Sequence, residues 1–163
     1  MRYLLLLSAL IIVNVESSYS SELNNFFSGE LKFIQTSLNK DKNSFEESEG
    51  VFKRLDDKSI VIEVTSPFRE KYFIKDDYIE IHDLEFDQIT KILKKDYEKN
   101  IFLSYLIDGF EDLNISNNDS NSFLISDEKT SYYFEYLNKN MLQVRFKDNM
   151  EVTNLIKFYK NDS

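Results

Sequence analysis

The sequence predicts a mainly β domain with a few helices (an α+β chain) built as a highly curved antiparallel sheet or incomplete β-barrel, with helices packed into its open side. Three observations carry this. The stretch from Ser59 through Thr90, continuing to Ile92, holds four short extended segments, SIVIEVTS, EKYFIK, YIEIHD and FDQITKI, rich in Ile, Val, Tyr and Phe and broken at Pro67 and at the Asp76-Asp77 pair. Four more extended runs finish the chain, SFLIS, SYYFEYL, MLQVRFK and EVTNLIKFY. Between the two groups lies the best helical stretch, Leu93 to Leu106, whose second half is apolar nearly all round.

The first twenty residues stand apart. Arg2 gives a positive start, and Leu4 to Val13 form an apolar run interrupted only by Ser8 and Ala9. Ser18 and Ser20 follow at the spacing a signal peptidase reads. The run is too short for a stop-transfer helix, so residues 1–20 are expected to be a cleaved secretory signal rather than an anchor, and 21–163 a single domain.

Glu22 to Gly29 has a short helical pattern with Leu23, Phe26 and Phe27 on one side, and Gly29 is expected to close it as a left-handed cap. LKFIQTSL alternates as a strand, Asn39 to Ser44 is a polar turn, and FEESEGVFKRL is a long strand with a bulge or bend at Gly50. Asp56 to Lys58 turns the chain into the meander. There, Ile60, Ile62 and Val64 share one face against Val61, Glu63 and Thr65, while Ile79 and Ile81 oppose Tyr78, Glu80 and His82. The helical stretch is expected in two pieces meeting near Asn100 and stopped by Gly109. Asn114 to Ser122 reads as polar and loose. The closing runs turn at Asn138–Asn140 and Asp148–Met150. The total is nine or ten strands and two or three helices.

Composition excludes several functions. The net charge of −9, with no basic patch, disfavours nucleic acid as a partner. Without cysteine there is no thiol nucleophile, thiolate metal site or lipidated Cys. The single histidine, His82, lies within a strand, and no G-x-S-x-G elbow occurs, so an enzyme is not expected. Glu46-Glu47 and Asp56-Asp57 read as solvated turns or strand edges. Asp112 and Asp119 lack the spacing of an EF-hand, and no metal or cofactor is expected. Fourteen phenylalanines, all beyond the signal, must be buried in the chain's own core or against a ligand.

Spacing then points to a family. Phe33-Ile34-Gln35-Thr36 precedes Gly50, and Pro67 ends the third strand. Asp76 follows, then His82-Asp83-Leu84-Glu85-Phe86-Asp87-Gln88-Ile89-Thr90, and lastly Leu142 with Asp148-Asn149-Met150-Glu151-Val152-Thr153. This pattern resembles the periplasmic outer-membrane lipoprotein carrier (LolA) family over nearly all of the mature chain. HDLEFDQIT stands where that family has Tyr-Asp-Pro-Asp-Leu-Glu-Gln-Val-Thr. The resemblance implies an incomplete barrel closed by a helical lid over a hydrophobic cavity. It implies a monomeric periplasmic chaperone that takes acylated lipoproteins from an inner-membrane ABC transporter to an outer-membrane acceptor.

On this resemblance Phe33, Phe52, Ile60, Ile62, Val64, Ile79 and Ile81 line the cavity, and Phe102, Leu103 and Leu106 form the lid. The family's lid-closing Arg falls at Asp56 without a gap and at Arg54 with a two-residue shift. The chain stops soon after EVTNLIKFY, where the family commonly continues, which implies an open sheet edge there or a different way of meeting the transporter or acceptor. The alternatives are a carrier of another lipid or glycolipid on the same fold, and a protein-interaction module working through an edge such as EVTNLIKFY.

Overall fold

The computed structural model describes residues 19–39, 43–97, 100–111, 115–126, 130–148 and 151–160. Of the expected signal segment, only Tyr19 and Ser20 fall within the described residues. Residues 40–42 and 149–150 of two expected turns, and Asp112, lie outside them.

A helix, α1, covers residues 19–26, and Leu23, Phe26 and Phe27 are buried as the pattern predicts. Gly29 does not cap it in a left-handed conformation: among the glycines only Gly109 has a positive φ. The chain then runs through β1 (Glu30–Asn39), β2 (Ser44–Arg54), β3 (Ile60–Ser66), β4 (Glu70–Ile74), β5 (Tyr78–Asp83) and β6 (Gln88–Leu93). Two helices follow, α2 (Lys94–Tyr97) and α3 (Ile101–Asp108). The chain returns through β7 (Ile115–Asp119), β8 (Ser122–Ser126), β9 (Ser131–Asn138), β10 (Met141–Lys147) and β11 (Thr153–Lys160).

Each joint has a local cause. Lys58 takes a left-handed φ of 67° in the β2–β3 turn, where its N–H donates to Leu55 O at 3.0 Å. The ladder slips between Glu49 and Gly50, the bulge that Gly50 foretold. Asn100 separates the two helices and caps α3, its Oδ1 accepting from the Leu103 N–H at 3.0 Å. Gly109 ends α3 at φ 100°, its N–H donating to Tyr105 O. The Tyr97 hydroxyl donates to Lys75 O at 3.2 Å and so fixes α2 to the β4–β5 turn.

All eleven strands belong to one antiparallel sheet in the order β6-β5-β4-β3-β2-β1-β11-β10-β9-β8-β7. The sheet does not close into a barrel, and its two ends are β6 and β7. The described strands number eleven rather than the expected nine or ten, and two further expectations need correction. The stretch after Asn114 is not loose throughout, because Ile115–Asp119 pairs with β8. EVTNLIKFY is not an edge: β11 lies between β1 and β10, with Phe33 opposite Phe158 on one side and Val144 opposite Ile156 on the other.

The sheet must curl. From β4 to β9 there are six strand spacings, about 29 Å if flat at ~4.8 Å each. Yet α3, with a helix's diameter of ~10–12 Å, meets both sides. Phe102 stacks on Tyr132 of β9 at 5.5 Å, and Phe102 and Leu103 share a pocket wall with Ile62 of β3 and Tyr72 of β4. The buried side chains accordingly form one cluster from Leu23 to Phe158. At its centre Phe27 contacts Phe52, Phe102, Phe110 and Phe158, with ring centroids 5.0–6.3 Å apart. Such edge and stacked pairs add to the hydrophobic gain of each ring.

Candidate ligand-binding groove

The inner face of the sheet is used in two ways. At the end beside the β2–β3 and β4–β5 turns it is buried in the core. Ile60 and Ile79, expected in a cavity, are instead core residues with 1% and 7% of their surface exposed. Ile81 packs against the same core and does not line the groove. Beyond Phe52 and Phe158 the packing stops and a pocket of about 430 Å³ opens between α3 and strands β1–β4 and β11. Phe33, Phe52, Ile62 and Val64 line it, together with Phe102, Leu103 and Leu106 of α3.

Alternation explains who faces inward. Ile60, Ile62 and Val64 of β3 are paired with Ile74, Tyr72 and Glu70 of β4, and this register puts all six on one face. The apolar end of that face joins the core, and the other end forms the groove. Sequence reasoning missed Ile156 and Phe158, because β11 was read as an edge, and it missed Tyr72, Glu70, Pro67 and Phe68 at the rim. The inward alternation of EKYFIK against SIVIEVTS could have found Tyr72 and Glu70. Phe68 had no periodic signal, being in a turn; it remains 66% exposed while contributing to the groove wall.

The groove is polar at one end only. Gln35 lines its mouth, and its amide nitrogen donates to Asn154 Oδ1 at 3.1 Å and to Ser37 Oγ at 3.3 Å. The Ser37 hydroxyl donates to the same Asn154 oxygen at 2.6 Å, and the Asn154 amide donates to Val152 O at 3.1 Å. Across the mouth the Tyr72 hydroxyl donates to the Glu70 carboxylate. Burial, then this bond and the carboxylate's charge, push the Tyr72 phenol well above its ordinary range.

Arg54 lies at the end of β2, beside α3. Its Nε donates to Phe27 O at 3.1 Å and its terminal NH2 to Leu106 O, so one guanidinium joins α3 to the segment after α1. Burial lowers its pKa from the ordinary arginine value. Asp56 is an exposed turn residue. Phe110 N–H donates to Asn24 Oδ1 at 3.0 Å and adds a second tie between α3's end and α1.

A second hollow, about 570 Å³, lies across β1, β2 and β11 and is lined by Lys32, Lys160 and Glu49 beside Gly50 and Tyr159. Phe33, Ile34 and Val51 complete its lining, so charged and apolar side chains are mixed there. His82 bonds Glu80 at 2.6 Å on the sheet's outer side and leans on Phe73, with ring centroids 5.0 Å apart. No group of three or more potential metal ligands occurs among the described residues. None of the described helices is long and apolar enough to cross a membrane.

Neither the protein-family models nor the curated proteins contain a match to this chain.

Proposed function

We propose that the chain is a carrier that shields an acyl chain in the groove beneath α3, and that its cargo is acylated lipoprotein moved through the periplasm. The observation that carries this reading is the groove itself. It is an apolar space of about 430 Å³ left unfilled beside a core rich in phenylalanine. That size lies within the ~300–1,000 Å³ of small-ligand sites, enough for one chain. Each methylene moved from water into such a space gains about 0.8 kcal/mol, and no directional bond is needed to hold it. In this reading α3 is the cover, and Arg54 pins its C-terminal end. Release follows when a transporter or acceptor offers a better apolar surface. The resemblance to the LolA family supports the choice of cargo and of the inner-membrane and outer-membrane partners.

The test is binding of an acylated peptide to the purified mature protein. Leu103→Glu puts a charge in the groove wall from a half-buried site, and we expect it to abolish binding while the circular dichroism spectrum is retained. Ile60→Glu is a poor probe, because Ile60 is in the solid core and its loss would unfold the chain. Undiminished binding by a folded Leu103→Glu protein would refute the assignment of the groove.

One observation favours a different reading. The edge strand β6 is exposed, and Phe86, Ile89 and Leu93 present 70%, 65% and 47% of their surface at or beside it. A protein-interaction module would use that edge rather than β11. Concentration-dependent self-association, lost in Ile89→Lys and unaccompanied by lipid uptake, would favour that module over the carrier.

A further inference from the structure

From the polar end of the groove we infer that it selects the head of its ligand. It accepts an acyl chain ending in an N–H group, amide or ammonium, and turns away one ending in a free carboxylate. This rests on the carrier reading and adds the class of amphiphile.

Among the described residues, Glu70 is the only charged side chain lining the groove, and no cation lines it. Glu70 is placed by register. It stands opposite Val64 at the start of β4, on the same face as Tyr72 and Ile74, and the Tyr72 hydroxyl holds its carboxylate. Arg69 beside it is exposed in the turn and does not contribute to the wall. Lys71, next along the strand, faces the other side and pairs with Glu63 at 3.7 Å.

The other mouth groups do not offset that charge. Both amide hydrogens of Gln35 are spent on Ser37 and Asn154, so what it offers a ligand is its carbonyl oxygen. Asn100 has its oxygen committed to capping α3, which leaves its amide, and Ser48 adds a hydroxyl. These can meet a neutral carbonyl. A carboxylate seated there would face Glu70 with no counter-charge and partly out of water, where like charges repel more than in bulk solvent. An amide N–H or an ammonium would instead find two acceptors. The chain's net charge of −9 works in the same direction at longer range.

The experiment compares three twelve-carbon ligands of one chain length at neutral pH, each below its micelle concentration. Dodecanamide, dodecylammonium and dodecanoate are titrated against a fluorescent apolar probe bound to the mature protein. The amide and the ammonium are expected to displace the probe at concentrations at least tenfold lower than dodecanoate, a difference of about 1.4 kcal/mol. Glu70→Gln is expected to close that gap to within about threefold by improving dodecanoate. Glu63→Gln, on the outer face, should leave it unchanged. Equal displacement by all three ligands, or an unaltered gap in Glu70→Gln, overturns the selectivity and leaves the carrier reading standing. Displacement by none of them removes both.

Discussion

Gly50 shows how much one hydrogen atom in place of a methyl can matter. A Cβ there would come within 2.1 Å of Glu63 O and 2.8 Å of the Phe33 ring. Backbone cannot retreat from such a contact without breaking the β2–β3 ladder. Gly50→Ala should therefore lower the free energy of unfolding by about 1–3 kcal/mol, read from the urea midpoint. Gly29 is the internal control. A Cβ there meets nothing within 4 Å and its φ is not positive, so Gly29→Ala should be neutral or stabilising by up to about 1 kcal/mol. Tyr136 raises a different issue. Its hydroxyl is buried with no hydrogen-bond partner among the described residues, and burial, then the charge of Glu22, push its pKa up. Unfolded tyrosines lose their protons near pH ~10, whereas Tyr72 and Tyr136 in the folded chain hold theirs to higher pH. The stability they confer is therefore complete below pH ~10 and is lost as pH rises above it. Tyr136→Phe should shrink that alkaline loss. It should cost nothing at neutral pH, since no bond is broken and an unsatisfied group is removed.

The elements depend on a few polar anchors rather than on propensity. α3 has only eight residues, too few to hold as an isolated helix, so its position is set by its ends and by Phe102 and Leu106 beneath it. Asn100→Ala should cost about 1 kcal/mol through the lost cap. Arg54→Ala should cost about 2–3 kcal/mol, because the Phe27 and Leu106 carbonyls lose a charged donor. Hydrogen exchange should then quicken in α3 while the β1–β11 ladder stays protected. Arg54→Lys should restore little of this, since a single ammonium cannot serve both carbonyls as the fork does. Most of these elements were legible in the sequence. Gly50, Pro67, Asn100 and Gly109 each mark a break for a local steric or capping reason, and period-two alternation places the inward face of β3. β7 was not legible, because its five residues, ISNND, are mostly polar and are made a strand by pairing with β8. The central place of β11 was hidden for a related reason. An alternating strand looks the same in the middle of a sheet as at its edge, and only long-range pairing with β1 decides.

At the scale of the whole molecule, the division of one curved face into buried core and open groove is the feature on which the proposed function rests. Sequence alternation told which residues face inward but not where packing ends. Ile60 and Ile62 follow the same pattern, yet Ile60 is sealed by the core while Ile62 borders empty space. The difference lies in what long-range packing brings opposite each, as α3 and β11 do around the groove that Ile62 borders, and no local pattern encodes it. Leu103 and Val64 are accordingly better probes of function than Ile60, Ile79 or Ile81. The most direct measurement of the central claim is photo-crosslinking with a peptide acylated by a chain that carries a diazirine near its end, followed by mapping of the labelled residues. A carrier of this design should be labelled on α3 around Phe102 to Leu106 and on β3 and β4 around Ile62 and Tyr72, in competition with unlabelled acylated peptide. Labelling confined to the β6 edge or the outer face of a folded protein, or none at all, would contradict it.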